Sequence, residues 1–375
     1  MKKYALTFFS IILYACGGNT TETHTDFSNI TFTIDTVLVD QGEEHLYLKW
    51  GLELSDLSQD KKYIYNFNLD DHTLEKINLD ELVLEEKLAF EKEGPNGTGE
   101  YLRSLNVYKG NSVFLTGFTN VGLYNMAGEK TQSFALRETK FDRDSLKADE
   151  DFWKLVMDKQ DGKLYGLIGN YSGSSFALGK IDYENKVLEK FSLGNFDKIG
   201  DYRFTLQSMM VMMPNMDMAD IGGRLILSNL VTSELIWYDI NRDSLFRKTF
   251  ESKLTANEKK GKYRQEFDSN EELEKERRLM HQEINFMTPF FDEVNQRFYR
   301  FSYKELEPVS DWNSEEDTKA EVYLTILDKD LNMLHELPLP KLNKSPAKHF
   351  VKDGKIWIFE NLDDEMGFVR LSLMY

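Results

Sequence analysis

Short runs of apolar and aromatic residues recur along most of the chain, and residues that favour turns separate them. The stretch from Lys163 to Leu193 shows this clearly, with three apolar runs divided by Asn/Ser/Gly and Asp/Glu/Asn breaks. Such runs are typical of antiparallel strands joined by tight turns, and nothing in the stretch requires a helix. The pattern therefore predicts an all-β protein.

The same pattern repeats six times, which indicates a repeat architecture. An apolar run starts at residues 63, 113, 164, 225, 298 and 356, so the repeats are 50–73 residues apart. Glycine-containing turns precede four of these runs and predict hairpins, each with a strand before the turn. The apolar stretches expected to form preceding strands are 102–108, 152–157, 204–213, 284–291 and 349–351.

A third run follows each of the six, and a fourth follows the first five, so the last repeat lacks one strand. The alternating segment from Ile30 to Val39 can supply it from the N-terminal end. Six four-stranded units closed in this way predict a six-bladed β-propeller without a long exposed sheet edge. A pair of β-sandwiches or a β-helix is the alternative, but solenoid periods are shorter and sandwiches need no pairing of chain ends.

Two segments interrupt the repeats. Residues 251–283 are rich in Glu, Lys and Arg, with apolar residues at loosely helical spacing, and predict a helical insertion over about 256–283. Residues 304–319 are acidic and contain Trp312, which predicts a surface loop.

The N-terminus has the features of an export signal. Residues 1–15 combine two lysines with an apolar core that is too short to span a bilayer. Leu13-Tyr14-Ala15-Cys16 resembles a bacterial lipobox, which implies cleavage before Cys16 and lipid attachment to that cysteine. A cleaved secretory signal with an incidental cysteine is the alternative. Residues 16–29 are then a flexible tether, and residues 30–375 a single propeller domain.

Several of these features together resemble a family of Bacteroidota lipoproteins. They are the order of the repeats, the Glu93–Gly97 loop, and Phe291–Glu293 followed by Phe298–Phe301. The family has six-bladed propellers of TolB-like shape and no assigned activity. The resemblance therefore implies an architecture and a cell-envelope location, and it assigns no catalytic residue.

Charge and composition narrow the possible partners and cofactors. The net charge of −18 repels phosphate backbones, so nucleic acid is not expected as a partner. The segment from Met209 to Met218 holds six methionines; we expect core packing there, with Cu(I) binding as the lesser alternative. The six histidines are scattered and no catalytic triad motif is present, so we expect no cofactor and no metal.

Propeller geometry places any ligand site where the loops between sheets and between second and third strands converge. The side chains expected there are Asn96, Asn170, Tyr171, Arg203, Trp312 and Asp363. Aromatic rings with a few polar groups suit a sugar or a peptide. The sequence thus favours a non-catalytic binding or scaffold lipoprotein, held to a membrane by its lipid, whose partner is an envelope protein, a peptide or a glycan. The outer membrane is favoured, with the face left open. The alternative is a metal-dependent envelope hydrolase or lyase with its site at the propeller channel.

Overall fold

The computed structural model describes residues 30–109, 112–118, 120–159, 162–208, 210–306 and 319–374. Regular structure in these ranges is almost entirely β-strand, arranged as several separate sheets. The all-β prediction is confirmed. Within the described ranges, no helix has the length and apolar content needed to cross a bilayer.

Most strands are short and pair with the next strand in the chain. In the first half they are β1 (Thr31–Leu38), β2 (Ser55–Leu57), β3 (Tyr63–Asn68), β4 (Thr73–Asn78), β5 (Val83–Ala89), β6 (Leu102–Tyr108), β7 (Ser112–Gly117), β8 (Val121–Asn125), β9 (Lys130–Ser133), β10 (Asp142–Arg143), β11 (Glu150–Met157), β12 (Leu164–Asn170), β13 (Phe176–Asp182) and β14 (Val187–Ser192). In the second half they are β15 (Phe204–Leu206), β16 (Met210–Met212), β17 (Met216–Ile221), β18 (Arg224–Asn229), β19 (Leu235–Asp239), β20 (Ser244–Lys248), β21 (Glu266–Phe267), β22 (Asn285–Phe286), β23 (Phe290–Asp292), β24 (Arg297–Glu305), β25 (Ala320–Leu327), β26 (Met333–Pro338), β27 (His349–Lys352), β28 (Lys355–Leu362) and β29 (Glu365–Met374).

These strands form six successive antiparallel units. The first sheet is β2–β5, the second β6–β9, the third β11–β14 with β10 added in parallel, and the fourth β17–β20. The fifth is β22–β26, in which both β22 and β23 pair with β24. The terminal sheet has the order β1-β29-β28-β27, and a small separate sheet joins β16, β15 and β21.

The two ends of the described chain pair in the terminal sheet. Strand β1 runs antiparallel to β29 from Thr31 opposite Met374 to Leu38 opposite Gly367. The expected pairing of residues 30–39 with the C-terminal repeat is therefore confirmed. Phe368 is fully buried at this seam, packed against the rings of Trp357 and Phe350.

Two predicted first strands were wrong in detail. Residues 204–213 form the β15–β16 hairpin instead of one strand, because Gln207 and Ser208 adopt left-handed turn conformations (φ 50° and 57°). The first strand of the fourth sheet is β17, where Met216 and Met218 are buried, as expected for core packing. Residues 284–291 divide into β22 and β23, and Pro289 between them lacks the N–H that a continuous ladder needs.

The helical insertion is shorter than the predicted range of about 256–283. Helix α1 covers Asn270–His281, with Ser269 as its N-cap, accepting from the Glu272 N–H at 3.4 Å. The preceding residues do not continue the helix, because Glu266 and Phe267 pair with β15. Two 3₁₀ segments, Lys49–Leu52 and Gly194–Tyr202, complete the helical structure of the described ranges.

A buried lysine fixes the C-terminal end of α1. Lys259 Nζ donates to the Met280 carbonyl and to Asn285 Oδ1, both at 2.9 Å. Burial lowers the pKa of Lys259 to about 7, although Glu283 and Glu305 oppose that shift. Positive charge at a helix C-terminus interacts favourably with its free carbonyls. The insertion is thus held against β22 by a polar anchor as well as by apolar packing.

Candidate functional site

The first strands of neighbouring sheets lie against one another. Strand β2 contacts β6, β6 contacts β11, β11 contacts β17, and β23 contacts β27. The Thr288 hydroxyl, between β22 and β23, donates to Asp217 in β17. Lys348, directly before β27, donates to the Ser55 carbonyl in β2 at 2.6 Å. We call these the inner strands, and their contacts run through all six sheets and return to the first.

Four polar side chains from four different sheets approach one another along the inner strands. We call Lys154, Asp217, Thr288 and Lys348 the inner-strand cluster. Lys154 Nζ lies 3.3 Å from Asp217 Oδ1, and the Thr288 hydroxyl donates to Asp217 Oδ2 at 2.9 Å. Ser228 Oγ lies 2.7 Å from the same Thr288 hydroxyl. Because each member comes from a different sheet, the cluster exists only when the sheets are assembled.

Asp217 is paired with neighbouring side chains but remains accessible to solvent. Burial raises the pKa of Asp217, but Lys154, the Thr288 hydroxyl and the Met218 N–H outweigh it and hold the pKa below its usual range. Even so, 41% of the Asp217 side chain and 35% of the Lys154 side chain are accessible. Part of the paired carboxylate thus stays in contact with water. A small polar ligand can therefore reach this carboxylate.

Lys348 adds a second cation to the cluster. Burial lowers the pKa of Lys348, and Lys154 lowers it further, whereas Asp56, Asp217 and Glu53 oppose the shift. Asp56 itself accepts a hydrogen bond from the Val107 N–H at 2.8 Å. A further hydrogen-bond acceptor would stabilise an ammonium group in this environment, because burial penalises its charge. The cluster thus brings two ammonium groups, a hydroxyl and one carboxylate acceptor into the same region of the inner strands.

His349 forms the apolar border of the cluster. Its ring packs edge-on against Phe290 and Phe301, with centroids 4.7 and 5.0 Å away. Nδ1 lies 2.7 Å from the Ala347 carbonyl and donates to it in the neutral imidazole. Burial lowers the pKa of His349 to about 4, so the ring is uncharged at neutral pH.

The ligand-site residues predicted from sequence lie mainly in turns, where they hold the backbone. Asn170 Oδ1 accepts from the Ser174 and Ser175 N–H groups, and Asn96 Oδ1 accepts from the Lys130 N–H. Arg203 donates to the Gly200 carbonyl at 2.7 Å, and Asp363 is an exposed turn residue at φ 54°.

The structure brings only some of the predicted residues together. The segment ending at Arg203 packs against the Asn170–Tyr171 turn, since a Cβ added at Gly200 would lie 2.5 Å from the Gly173 carbonyl. Asn96 and Asp363 belong to other sheets. Trp312 and the lipid-attachment residue Cys16 lie outside the described residues.

Sequence reasoning missed all four members of the inner-strand cluster. A signal was present, because Lys154 and Asp217 are single charges within otherwise apolar stretches, 152–157 and 209–218. A charge in a strand that faces a core is costly unless it is paired. Two such strands in neighbouring repeats, one with a lysine and the other with an aspartate, indicate an ion pair between the inner strands.

A depression lies between the fourth and fifth sheets, with about 360 Å³ of free space including open solvent. Arg300 lies at its wall, and burial lowers the pKa of Arg300 to about 9. The guanidinium donates to the Met287 and Ser233 carbonyls at 2.7 and 2.6 Å. These bonds join the two sheets, so this Arg has a structural role.

Among the described residues, no three His, Cys, Asp or Glu side chains lie close enough to hold a metal ion. The inner-strand cluster likewise lacks a set of metal ligands, since it combines one carboxylate with two ammonium groups and a hydroxyl. Its chemistry suits hydrogen bonding to a polar molecule.

Comparison with known proteins gives a family and a fold. The sequence profile of a domain of unknown function, DUF4221, matches residues 27–338. A crystal structure of a DUF4221 member from Bacteroides vulgatus is similar at 10% identity and a TM-score of 0.66, covering 92% of this chain and 98% of that one. A Bacteroides fragilis protein named as exported is similar at 12% identity and a TM-score of 0.48, covering 91% and 96%. No curated protein matches the sequence.

Proposed function

Since this chain belongs to the DUF4221 family, we propose that it is a lipid-anchored binding protein of the cell envelope, built as a six-bladed β-propeller. Its ligand is a small polar molecule, held without chemical conversion at the inner-strand cluster. The observation that carries this proposal is the convergence of Lys154, Asp217, Thr288 and Lys348 from four sheets at the inner strands, with Lys154 and Asp217 accessible to solvent.

Two features support the propeller arrangement. Each of the six units is an antiparallel sheet whose first strand contacts the first strand of a neighbour. The N-terminal strand completes the terminal sheet, so the last unit also has four strands. Sheets arranged radially around a central channel leave only short protected edges. In this arrangement the inner-strand cluster lines the channel.

A thermal-shift screen tests ligand binding at the cluster. The probes are neutral monosaccharides, amino sugars, free amino acids and dipeptides at millimolar concentration with the purified full chain. We expect at least one class to raise Tm by about 2–5 °C, because a ligand at about 100 times its Kd stabilises the folded state by about 2.7 kcal/mol. Asp217→Asn and Lys348→Met should abolish the shift.

The matched control is Asp363→Asn, which changes an exposed turn carboxylate and should keep the full shift. The binding proposal is wrong if no probe class stabilises the unmodified chain, or if both cluster variants respond as it does. Melting curves without probe show whether each variant folds.

Lipid attachment is tested separately at Cys16. We expect the wild-type chain to incorporate labelled fatty acid in a bacterial host and to fractionate with membranes. Cys16→Ala removes the only thiol of the chain and should abolish labelling, leaving unprocessed or soluble protein. Cys16→Ser, which replaces the thiol by a hydroxyl of similar size, should behave in the same way. Labelling that persists in either variant would contradict a lipid on Cys16.

A further inference from the structure

The depression between the fourth and fifth sheets contains a buried hydroxyl that has no hydrogen-bond partner within the described ranges. Ser302 in β24 lines this space and is only 5% exposed, and its hydroxyl makes no hydrogen bond there. We call the space the inter-sheet depression; Arg300, Ser302, Thr325 and Glu336 line it from the fifth sheet. Buried polar groups are almost always paired, so an unpaired one that faces free space marks a place for a bound molecule.

Three of these side chains lie abreast on three neighbouring strands. Arg300 in β24 is opposite Thr325 in β25, and Thr325 is opposite Glu336 in β26. Neighbouring strands are about 4.8 Å apart, so the backbones of Arg300 and Glu336 are about 10 Å apart. Because all three side chains line the same depression, it presents a guanidinium, a hydroxyl and a carboxylate in that order.

The Arg300 guanidinium has no carboxylate partner among the described residues. Its bonds to the Met287 and Ser233 carbonyls, with a longer bond of 3.5 Å to the Thr232 carbonyl, use three of its five N–H groups. Burial is the only cause of its lowered pKa, which means that no described carboxylate lies close enough to raise it. A buried cation without a counter-charge is costly, so a bound carboxylate would stabilise it.

Glu336 supplies the opposite charge at the other side of the depression. One of its carboxylate oxygens accepts from the Lys253 N–H at 2.9 Å, and within the described ranges the other oxygen has no hydrogen-bond partner. Arg300 and Glu336 are the charged side chains that line the depression, so the lining carries no net charge. It therefore favours neither a simple anion nor a simple cation.

The charges next to the lining residues are balanced as well. Glu234 lies 3.7 Å from Arg247, and Glu258 lies 3.7 Å from Lys198. Glu251 and Lys253, which flank Ser252 at the mouth, are both exposed and have opposite charges. The surroundings thus leave the separated pair of Arg300 and Glu336 as the electrostatic feature of the site.

This separation selects a small zwitterion. Side chains stand roughly perpendicular to a sheet, so the two charged groups are separated by about the same 10 Å as their backbones. An α-amino acid with a hydrogen bond of about 2.9 Å at each end spans such a gap. Because the free space of about 360 Å³ includes open solvent, the ligand must be small. Leu327 and Met333 complete the lining with apolar surface.

We propose that the inter-sheet depression binds a small free amino acid, glycine or alanine, with its carboxylate on Arg300, its ammonium group on Glu336 and a hydrogen bond from Ser302. This site is separate from the inner-strand cluster and does not rest on the function proposed there. An amino-acid response that Asp217→Asn removes belongs to the cluster, whereas one that Glu336→Gln removes belongs to the depression.

The probes are glycine and L-alanine, titrated calorimetrically into the purified full chain. We expect saturable binding of at least one of them. Alaninamide, which lacks the carboxylate, and N-acetylalanine, which lacks the ammonium group, should each bind about tenfold more weakly or worse, because each loses a hydrogen bond between charged groups. Tryptophan should also bind about tenfold more weakly or worse, because its side chain exceeds the small apolar space.

Two variants test the residues. Glu336→Gln keeps an oxygen that can accept from the Lys253 N–H and should weaken binding about fivefold or more. Ser302→Ala should weaken binding about threefold and leave Tm without ligand unchanged, because its hydroxyl has no partner to lose within the described ranges. The matched control is Glu86→Gln, at an exposed carboxylate on β5 of the first sheet, which should bind as the unmodified chain does.

The inference is overturned if neither amino acid binds, or if alaninamide or N-acetylalanine binds as tightly as alanine. Unchanged binding in both Glu336→Gln and Ser302→Ala would overturn it as well. Melting curves without ligand show whether each variant folds, and the comparison of alanine with its two derivatives needs no variant.

Discussion

Replacement of Phe368 by alanine is expected to lower the free energy of unfolding by about 3–5 kcal/mol. Phe368 is fully buried in β29, where it lies opposite Val37 of β1 and Phe359 of β28. Its ring centroid is 5.6 Å from that of Trp357 and 5.8 Å from that of Phe350. The truncation therefore leaves a cavity at the seam that joins the two ends of the chain.

Urea unfolding followed by tryptophan fluorescence measures this loss. Phe368→Leu should recover more than half of the stability, since it restores most of the apolar volume. The matched control is Phe246→Ala, at a half-buried ring stacked on Trp237 near a sheet edge, for which we expect about 1 kcal/mol or less. A loss below about 1 kcal/mol for Phe368→Ala would show that the terminal sheet is not held by this cluster.

The strand pattern could be predicted because the apolar runs and turn residues within each repeat indicate its strands. Alternation in β1 and the missing last strand of the terminal repeat together predict the pairing of the chain ends. The local residue pattern did not predict the structure where a strand is very short or where tertiary packing determines the conformation. Strand β2 has three residues, which is too short a window for periodicity. The charged stretch before α1 reads as helix, but its pairing with β15 overrides that propensity.

The site was less predictable than the fold because it is assembled from distant residues. Loop position led to Asn96 and Asn170, whose amides are used to hold turns. The contact between Lys154 and Asp217 depends on the packing of β11 against β17, which no local pattern reports. Tyr171 is the predicted residue that stays exposed, at 50%, and its hydroxyl accepts from the Arg137 guanidinium.

Histidine protonation connects the inner-strand cluster to stability. His349 is neutral in the folded chain because burial lowers its pKa to about 4, an effect that Lys348 reinforces and that Asp217 and two backbone carbonyls oppose. In the unfolded chain a histidine has a pKa of about 6.5. As pH falls below this value, the unfolded chain binds a proton that the folded chain does not. The free energy of unfolding is therefore not reduced by His349 above about pH 6.5, and this histidine lowers it progressively as pH falls toward 4.

We expect protonation of His349 in the unfolded chain to lower the free energy of unfolding by about 3 kcal/mol across that range. Between pH 7 and pH 5 the expected loss is about 2 kcal/mol. His349→Gln keeps a neutral polar side chain and should remove this part of the pH dependence, although the lost ring packing lowers stability at every pH. The measurement is urea unfolding at both pH values for each protein.

His72, whose pKa burial also lowers, contributes equally to both proteins and cancels in the difference. His45→Gln, at an exposed histidine, serves as the control and should keep the wild-type slope. An unchanged slope in His349→Gln would show that the folded chain accepts the proton, and that the border of the inner-strand cluster opens to water as pH falls.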